Sequence, residues 1–107
     1  MSDRQRFQNK VVIVTGAAQG IGRGVALQVA SEGAQVVMAD LSQYVAEVLA
    51  EIQAAGGDAV IINADLETFA GAQSVVEKAI ATYGRVDALI NNVGGAIDAL
   101  NKADQTL

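Results

Sequence analysis

The sequence predicts an α/β protein built on a doubly wound parallel sheet that stops after about four strands. Strand patterns at 10–15, 35–40, 59–64 and 86–91 alternate with helical patterns at 21–31, 44–55 and 70–83, which is the signature of βαβ units. The run Val11-Val12-Ile13-Val14 is continuously β-branched, as in a strand buried on both faces. A glycine-rich turn then leads straight into the first helix. Right-handed crossovers arrange such units in the strand order 3-2-1-4.

Each element has its own local signature. In the first helix Ile21, Val25 and Val29 recur every four residues, and Gly33 stands where a C-terminal cap is expected. The strand Gln35 to Asp40 follows. In the second helix Val45, Val48, Leu49 and Ile52 fall at i, i+3, i+4 and i+7. Ser42 is placed to cap its start, and Gly56-Gly57 to stop it. The strand Ala59 to Ala64 leads to a third helix with Val75, Val76, Ala79, Ile80 and Tyr83 along one stripe. Gly84 ends that helix, and Val86 to Asn91 forms the fourth strand.

Composition narrows the function. The chain has 107 residues, half of them hydrophobic, which is enough for one small domain with a core. Seven Lys and Arg against twelve Asp and Glu give a net charge of −5, a poor match to nucleic acid. Without Cys or His the chain has no thiolate, no zinc–sulfur site and no imidazole base, so no metal is expected. The polar start Met1-Ser2-Asp3-Arg4 precedes no apolar run, and no stretch is apolar enough to span a bilayer. A cytoplasmic location without membrane contact is the expectation.

The glycine-rich turn suggests a dinucleotide. It places a helix N-terminus, with its unpaired N–H groups, at the end of a parallel strand, where a diphosphate is favoured. Thr15 and Gly16 leave the strand, and Gly20 and Gly22 stand three and five residues beyond Ala17. Gly16 suits the tight turn, Gly20 the close approach of the diphosphate, and Gly22 the packing of helix on sheet. Asp40 ends the second strand, where an acid accepts hydrogen bonds from the adenosine-ribose hydroxyls and repels a 2′-phosphate. Its neighbours Ala39 and Leu41 carry no charge, and Gln19 before Gly20 is neutral, so NAD is favoured over NADP. Asp65 after the third strand is placed to reach the adenine amino group, with Leu66 packing near the ring. Asn91-Asn92-Val93-Gly94-Gly95 ends the fourth strand, where asparagines satisfy free backbone groups and glycines admit a cofactor.

These residues together resemble the short-chain dehydrogenases/reductases. The family pattern T-G-x-x-x-G-x-G matches Thr15 through Gly22, and N-N-x-G matches Asn91 through Gly94. Its acid after strand two matches Asp40, and its D-L element matches Asp65-Leu66. The resemblance implies a Rossmann-like fold with the glycine turn on the diphosphate and Ile21 against it. It implies Asp40 as the selector of NAD, and Asn92, Val93 and Gly94 along the adenosine and ribose. Arg6-Phe7, Asp65-Leu66-Glu67-Thr68 and Asn92-Val93-Gly94-Gly95 are similar to a narrower group, the cis-diol carboxylate dehydrogenases of benzoate breakdown. That group oxidises 1,6-dihydroxycyclohexa-2,4-diene-1-carboxylate with NAD, giving catechol and carbon dioxide.

Family catalysis uses a Tyr with a Lys four positions on, plus a Ser and an Asn. Here Tyr44 is followed by Val48 and Tyr83 by Asp87, so no catalytic residue is carried over. Residues 1–97 read as the NAD-binding half of such a dehydrogenase, and 98–107 as a tail off the family pattern. A premature stop, a shifted reading frame or trimming would each produce it. The chain alone is expected to be inactive, and its fourth strand to be an edge open to self-association through Val86, Ala88 and Ile90. A non-catalytic nucleotide-binding module and a non-functional remnant are the alternative readings.

Overall fold

The structure, a computed structural model, describes residues 6–64 and 68–91. Seven elements alternate: β1 (Val11–Thr15), α1 (Gly20–Ser31), β2 (Gln35–Ala39), α2 (Val45–Ala54), β3 (Asp58–Ile62), α3 (Phe69–Tyr83) and β4 (Ala88–Ile90). The four strands form one parallel sheet in the order β3-β2-β1-β4, as the sequence predicts. β1 pairs on both sides, with Val12 beside Val36 and Ala88. This explains why its β-branched run shows no polar alternation.

The two faces of the sheet hold separate cores. Val12, Val14, Val36, Met38 and Ala59 pack under α1 and α2, with Ala26, Val29, Val48 and Ile52 supplied by those helices. Val11, Ile13, Val37, Ala39 and Ile62 point the other way, onto Val75 and Ala79 of α3. The strand period of two thus divides a uniformly apolar run between two layers.

The helices depart from the sequence patterns in three details. In α1 the buried stripe is Gly22, Ala26, Val29 and Ala30, whereas Ile21 is 75 % exposed. The buried face of this helix is made largely of small residues, and Ile21 stands off it. In α3 only Val75 and Ala79 are buried, and Val76 and Ile80 of the same stripe are exposed. The sheet covers only one side of that stripe. Helix α2 begins at Val45, later than Ser42 suggests; Ser42 Oγ instead accepts the Tyr44 N–H at 3.1 Å and caps the leading turn.

β4 is also shorter than its sequence pattern, because Asp87 joins β1 by a different route. Its Oδ2 accepts the Val11 N–H at 2.8 Å, and its own N–H donates to the Val11 carbonyl at 2.8 Å. At the same end of the sheet Glu32 is buried, 5 % exposed, and pairs with Arg6, while the Phe7 N–H donates to the Glu32 carbonyl. Among the described residues no helix is long and apolar enough to cross a membrane.

Candidate dinucleotide-binding site

The C-terminal ends of β1 and β2 bring the glycine turn and Asp40 together. Thr15 ends β1, and the chain turns at Gly16 and again at Gly20, both with φ of 62°. That backbone region is costly for side chains with a Cβ, so glycine is needed at both corners. At Gly20 an added Cβ would meet no protein atom within 4 Å. The space over it is open, and the glycine serves the backbone conformation and leaves room for a ligand. Ala17 and Ala18 between the corners are buried and anchor the turn in the core under α1.

Gln19 stands at the N-cap position of α1 with extended backbone, but its side chain makes no capping bond. The first turn of α1 contains no acidic residue. The first amides of a helix have no partner within it, and their partial positive charge favours an anion. Here that end is left to water or to a ligand, and Ile21 stands exposed beside it.

Asp40 lies one residue past β2, and its N–H donates to the Ile62 carbonyl at 3.2 Å, which holds its backbone beside the C-terminal end of β3. Its carboxylate spans two segments: Oδ2 accepts the Ala18 N–H at 3.1 Å and Oδ1 accepts the Ser42 N–H at 2.8 Å. Arg23, the basic residue nearest the turn in sequence, is paired with Glu51 on α2. On the other flank, Thr15 Oγ1 donates to Asn91 Oδ1 at 2.7 Å and so ties β1 to the end of β4.

Seven of the expected residues therefore meet at one end of the sheet: Thr15, Gly16, Gln19, Gly20, Ile21, Gly22 and Asp40. Asp65, Leu66, Asn92, Val93 and Gly94 lie outside the described residues. Sequence reasoning missed the bond from Asp40 to Ala18, and no sequence pattern announces it. It also missed Thr68, whose hydroxyl caps α3 by accepting the Gly71 N–H at 2.9 Å. A Thr just before the apolar run of α3 was a readable signal for that cap.

Neither tyrosine belongs to this site. Tyr83 donates to Asp58 Oδ1 at 3.0 Å, at the start of β3 and so at the opposite end of the parallel sheet. Burial, the Asp58 hydrogen bond and the Asp58 charge all push its phenol above the ordinary value. Tyr44 is exposed before α2. Among the described residues no group of three or more His, Cys, Asp or Glu gathers as metal ligands.

Residues 10–106 match the short chain dehydrogenase family. The 1,6-dihydroxycyclohexa-2,4-diene-1-carboxylate dehydrogenase of Acinetobacter baylyi is 63 % identical over 97 residues, which are 91 % of this chain and 37 % of that protein. The enzyme of the same name from Pseudomonas putida is 46 % identical over 93 residues, 87 % of this chain and 34 % of its own. A solved 7α-hydroxysteroid dehydrogenase, in complex with NADH and 7-oxo glycochenodeoxycholic acid, superposes with a TM-score of 0.82 at 38 % identity. That match covers 89 % of this chain and 38 % of the other. The chain thus spans little more than a third of the length of these relatives.

Proposed function

This chain belongs to the short chain dehydrogenase family, and on that premise we propose that residues 1–97 are the NAD-binding portion of a cis-diol carboxylate dehydrogenase. The observation that carries the reading is the α1 N-terminus, uncapped by Gln19 and free of acid in its first turn, beside the Asp40 carboxylate. Gly16, Gly20 and Gly22 let the diphosphate approach the α1 amides, and Ile21 covers it from the open side. Asp40 accepts the ribose hydroxyls. Asp65 and Leu66 take the adenine, and Asn92, Val93 and Gly94 continue the track, as the family pattern implies. Thr15 is bonded to Asn91, the residue just before that segment in sequence.

NAD is preferred to NADP in this proposal because a 2′-phosphate would face the Asp40 carboxylate. The pairing of Arg23 with Glu51 supports this, since it engages the nearest guanidinium elsewhere. The proposed substrate class, a cis-diol carboxylate, is that of the Acinetobacter baylyi and Pseudomonas putida relatives. When bound, NAD supplies the acceptor for the hydride leaving a carbinol carbon. The residues described here bind and orient it; none is assigned a catalytic role. Tyr83, with its phenol raised and tied to Asp58, is unsuited to accept a proton.

Self-association belongs to the same proposal. Leu89 is 57 % exposed on β4, and Phe69, Val76 and Ile80 are exposed on α3. A mostly apolar cleft of about 110 Å³ between α3 and the sheet is lined by Ile13, Ala72, Val75, Val76 and Leu89, with Thr15 and Asn91 also lining it.

Calorimetric titration of the chain with NAD and NADP tests the reading. Saturable NAD binding with weaker NADP binding is expected, and Gly16→Val should remove it, because a β-branched residue cannot hold the left-handed corner. Equal affinity for the two dinucleotides would remove Asp40 as selector. Unchanged NAD affinity in Gly16→Val would remove the turn from the site.

A further inference from the structure

Asp40 is engaged before any ligand arrives. Its Oδ2 accepts the N–H of Ala18, a residue 6 % exposed midway between the two left-handed corners of the turn. A buried backbone donor needs a partner, and for Ala18 that partner is a carboxylate 22 residues further along the chain. Oδ1 accepts the Ser42 N–H, which fixes the carboxylate plane from its other side.

We propose that Asp40 is a positioning residue for the diphosphate turn as well as the reader of the ribose: through Ala18 it sets the α1 amides in place before the ligand binds. The inference rests on the dinucleotide reading of this site. The two roles are compatible, because each carboxylate oxygen has two lone pairs and the protein uses one on each. A substitution at Asp40 made to relax cofactor preference therefore weakens binding of every diphosphate ligand. The loss comes from the turn, which must then be ordered as the ligand binds.

A ligand without ribose hydroxyls separates the two roles. ADP and 2′,3′-dideoxy-ADP are titrated calorimetrically into the chain and its Asp40→Ala and Asp40→Asn variants. The native chain should prefer ADP. Asp40→Ala should lose that preference and also bind dideoxy-ADP about tenfold more weakly, the size expected for one charge-assisted hydrogen bond. Asp40→Asn keeps an acceptor oxygen and should recover part of the dideoxy-ADP affinity. Unchanged dideoxy-ADP affinity in Asp40→Ala overturns the positioning role and leaves ribose reading intact. Equal binding of both probes by the native chain removes ribose reading alone, and the Asp40→Ala result still decides the positioning role. A native chain that binds neither probe overturns both.

Amide hydrogen exchange gives a readout independent of any ligand. Ala18 should exchange about tenfold faster in Asp40→Ala, while Val37 in the middle of β2 keeps its protection. Unchanged exchange at Ala18, or a rise shared equally by Val37, counts against the proposal.

Discussion

Asp87 grips both backbone groups of Val11: its Oδ2 accepts the Val11 N–H at 2.8 Å, and its own N–H donates to the Val11 carbonyl at 2.8 Å. Arg85 holds the other carboxylate oxygen at 2.6 Å. The Val11 N–H bond, and after it Arg85, draw the Asp87 carboxyl below its ordinary value of 3.8. A lowered folded-state value means that the stabilisation is complete above pH 3.8 and is lost as the pH falls through the folded value. Asp87→Asn should therefore flatten the acid limb of a stability profile below about pH 4. Asp87→Ala should lower the urea midpoint at pH 7 more than Asp87→Asn does, since it leaves the buried Val11 N–H without a partner. Superimposable acid limbs in the native chain and Asp87→Asn would remove Asp87 as a titrating staple.

Tyr83 carries the opposite sign. Its folded-state value is raised, so its contribution is present below its ordinary value of 10 and is lost as the pH rises above it. Tyr83→Phe should cost no more than about 1 kcal/mol at pH 7, because the ring stays packed and only the exposed hydrogen bond to Asp58 is lost. It should also make stability less sensitive to alkali. In a Tyr44→Phe background, phenolate absorbance reports Tyr83 alone, and its titration should be delayed beyond that of a free tyrosine. A titration at the ordinary value would show that the Asp58 bond does not persist in solution.

Two glycines should respond in opposite senses. A Cβ on Gly57 would stand 2.7 Å from Ile52 Cγ2 and 3.1 Å from the Ile52 carbonyl oxygen. Ile52 is buried and stiff at its branched carbon, so Gly57→Ala should cost about 1–3 kcal/mol in urea unfolding. Gly24 lies inside α1 with open space where its Cβ would go, and Gly24→Ala should gain about 0.5–1 kcal/mol. The gain should leave NAD affinity unchanged. A neutral Gly57→Ala would mean that the turn between α2 and β3 yields more readily than the packing implies.

The exposed apolar face of α3 and β4 should make the chain associate as its concentration rises. Sedimentation velocity should show a concentration-dependent shift, reduced by Leu89→Lys or Ile80→Lys. Lysine on β4 also discourages strand addition at the edge. Concentration-independent monomer sedimentation of the native chain would dispose of the idea.

Most of the fold was legible because its signals are local. β-branched runs mark β1 and β2, four-residue spacing marks α2, and Gly33, Gly56 and Gly84 end the helices in left-handed geometry. The turn of the candidate site was legible for the same reason, since Gly16 and Gly20 are adjacent corners of one short segment. The stripes that include Ile21, Val76 and Ile80 did not say which members are covered, because periodicity shows that a face is apolar without showing what lies against it. Only the crossing position of each helix on the sheet settles that, and it leaves these three side chains exposed.

By itself the sequence determined the order of elements, the 3-2-1-4 sheet and the helix that starts at the glycine turn. Strand period, helix period and crossover handedness act within one or two neighbouring elements. Tertiary structure alone decided that Asp40 binds Ala18, that Asp87 binds Val11 across 76 residues, and that Arg6 reaches the buried Glu32. Each of these needs a donor and an acceptor brought within about 3 Å by the packing of segments far apart in sequence, and no local pattern encodes that distance.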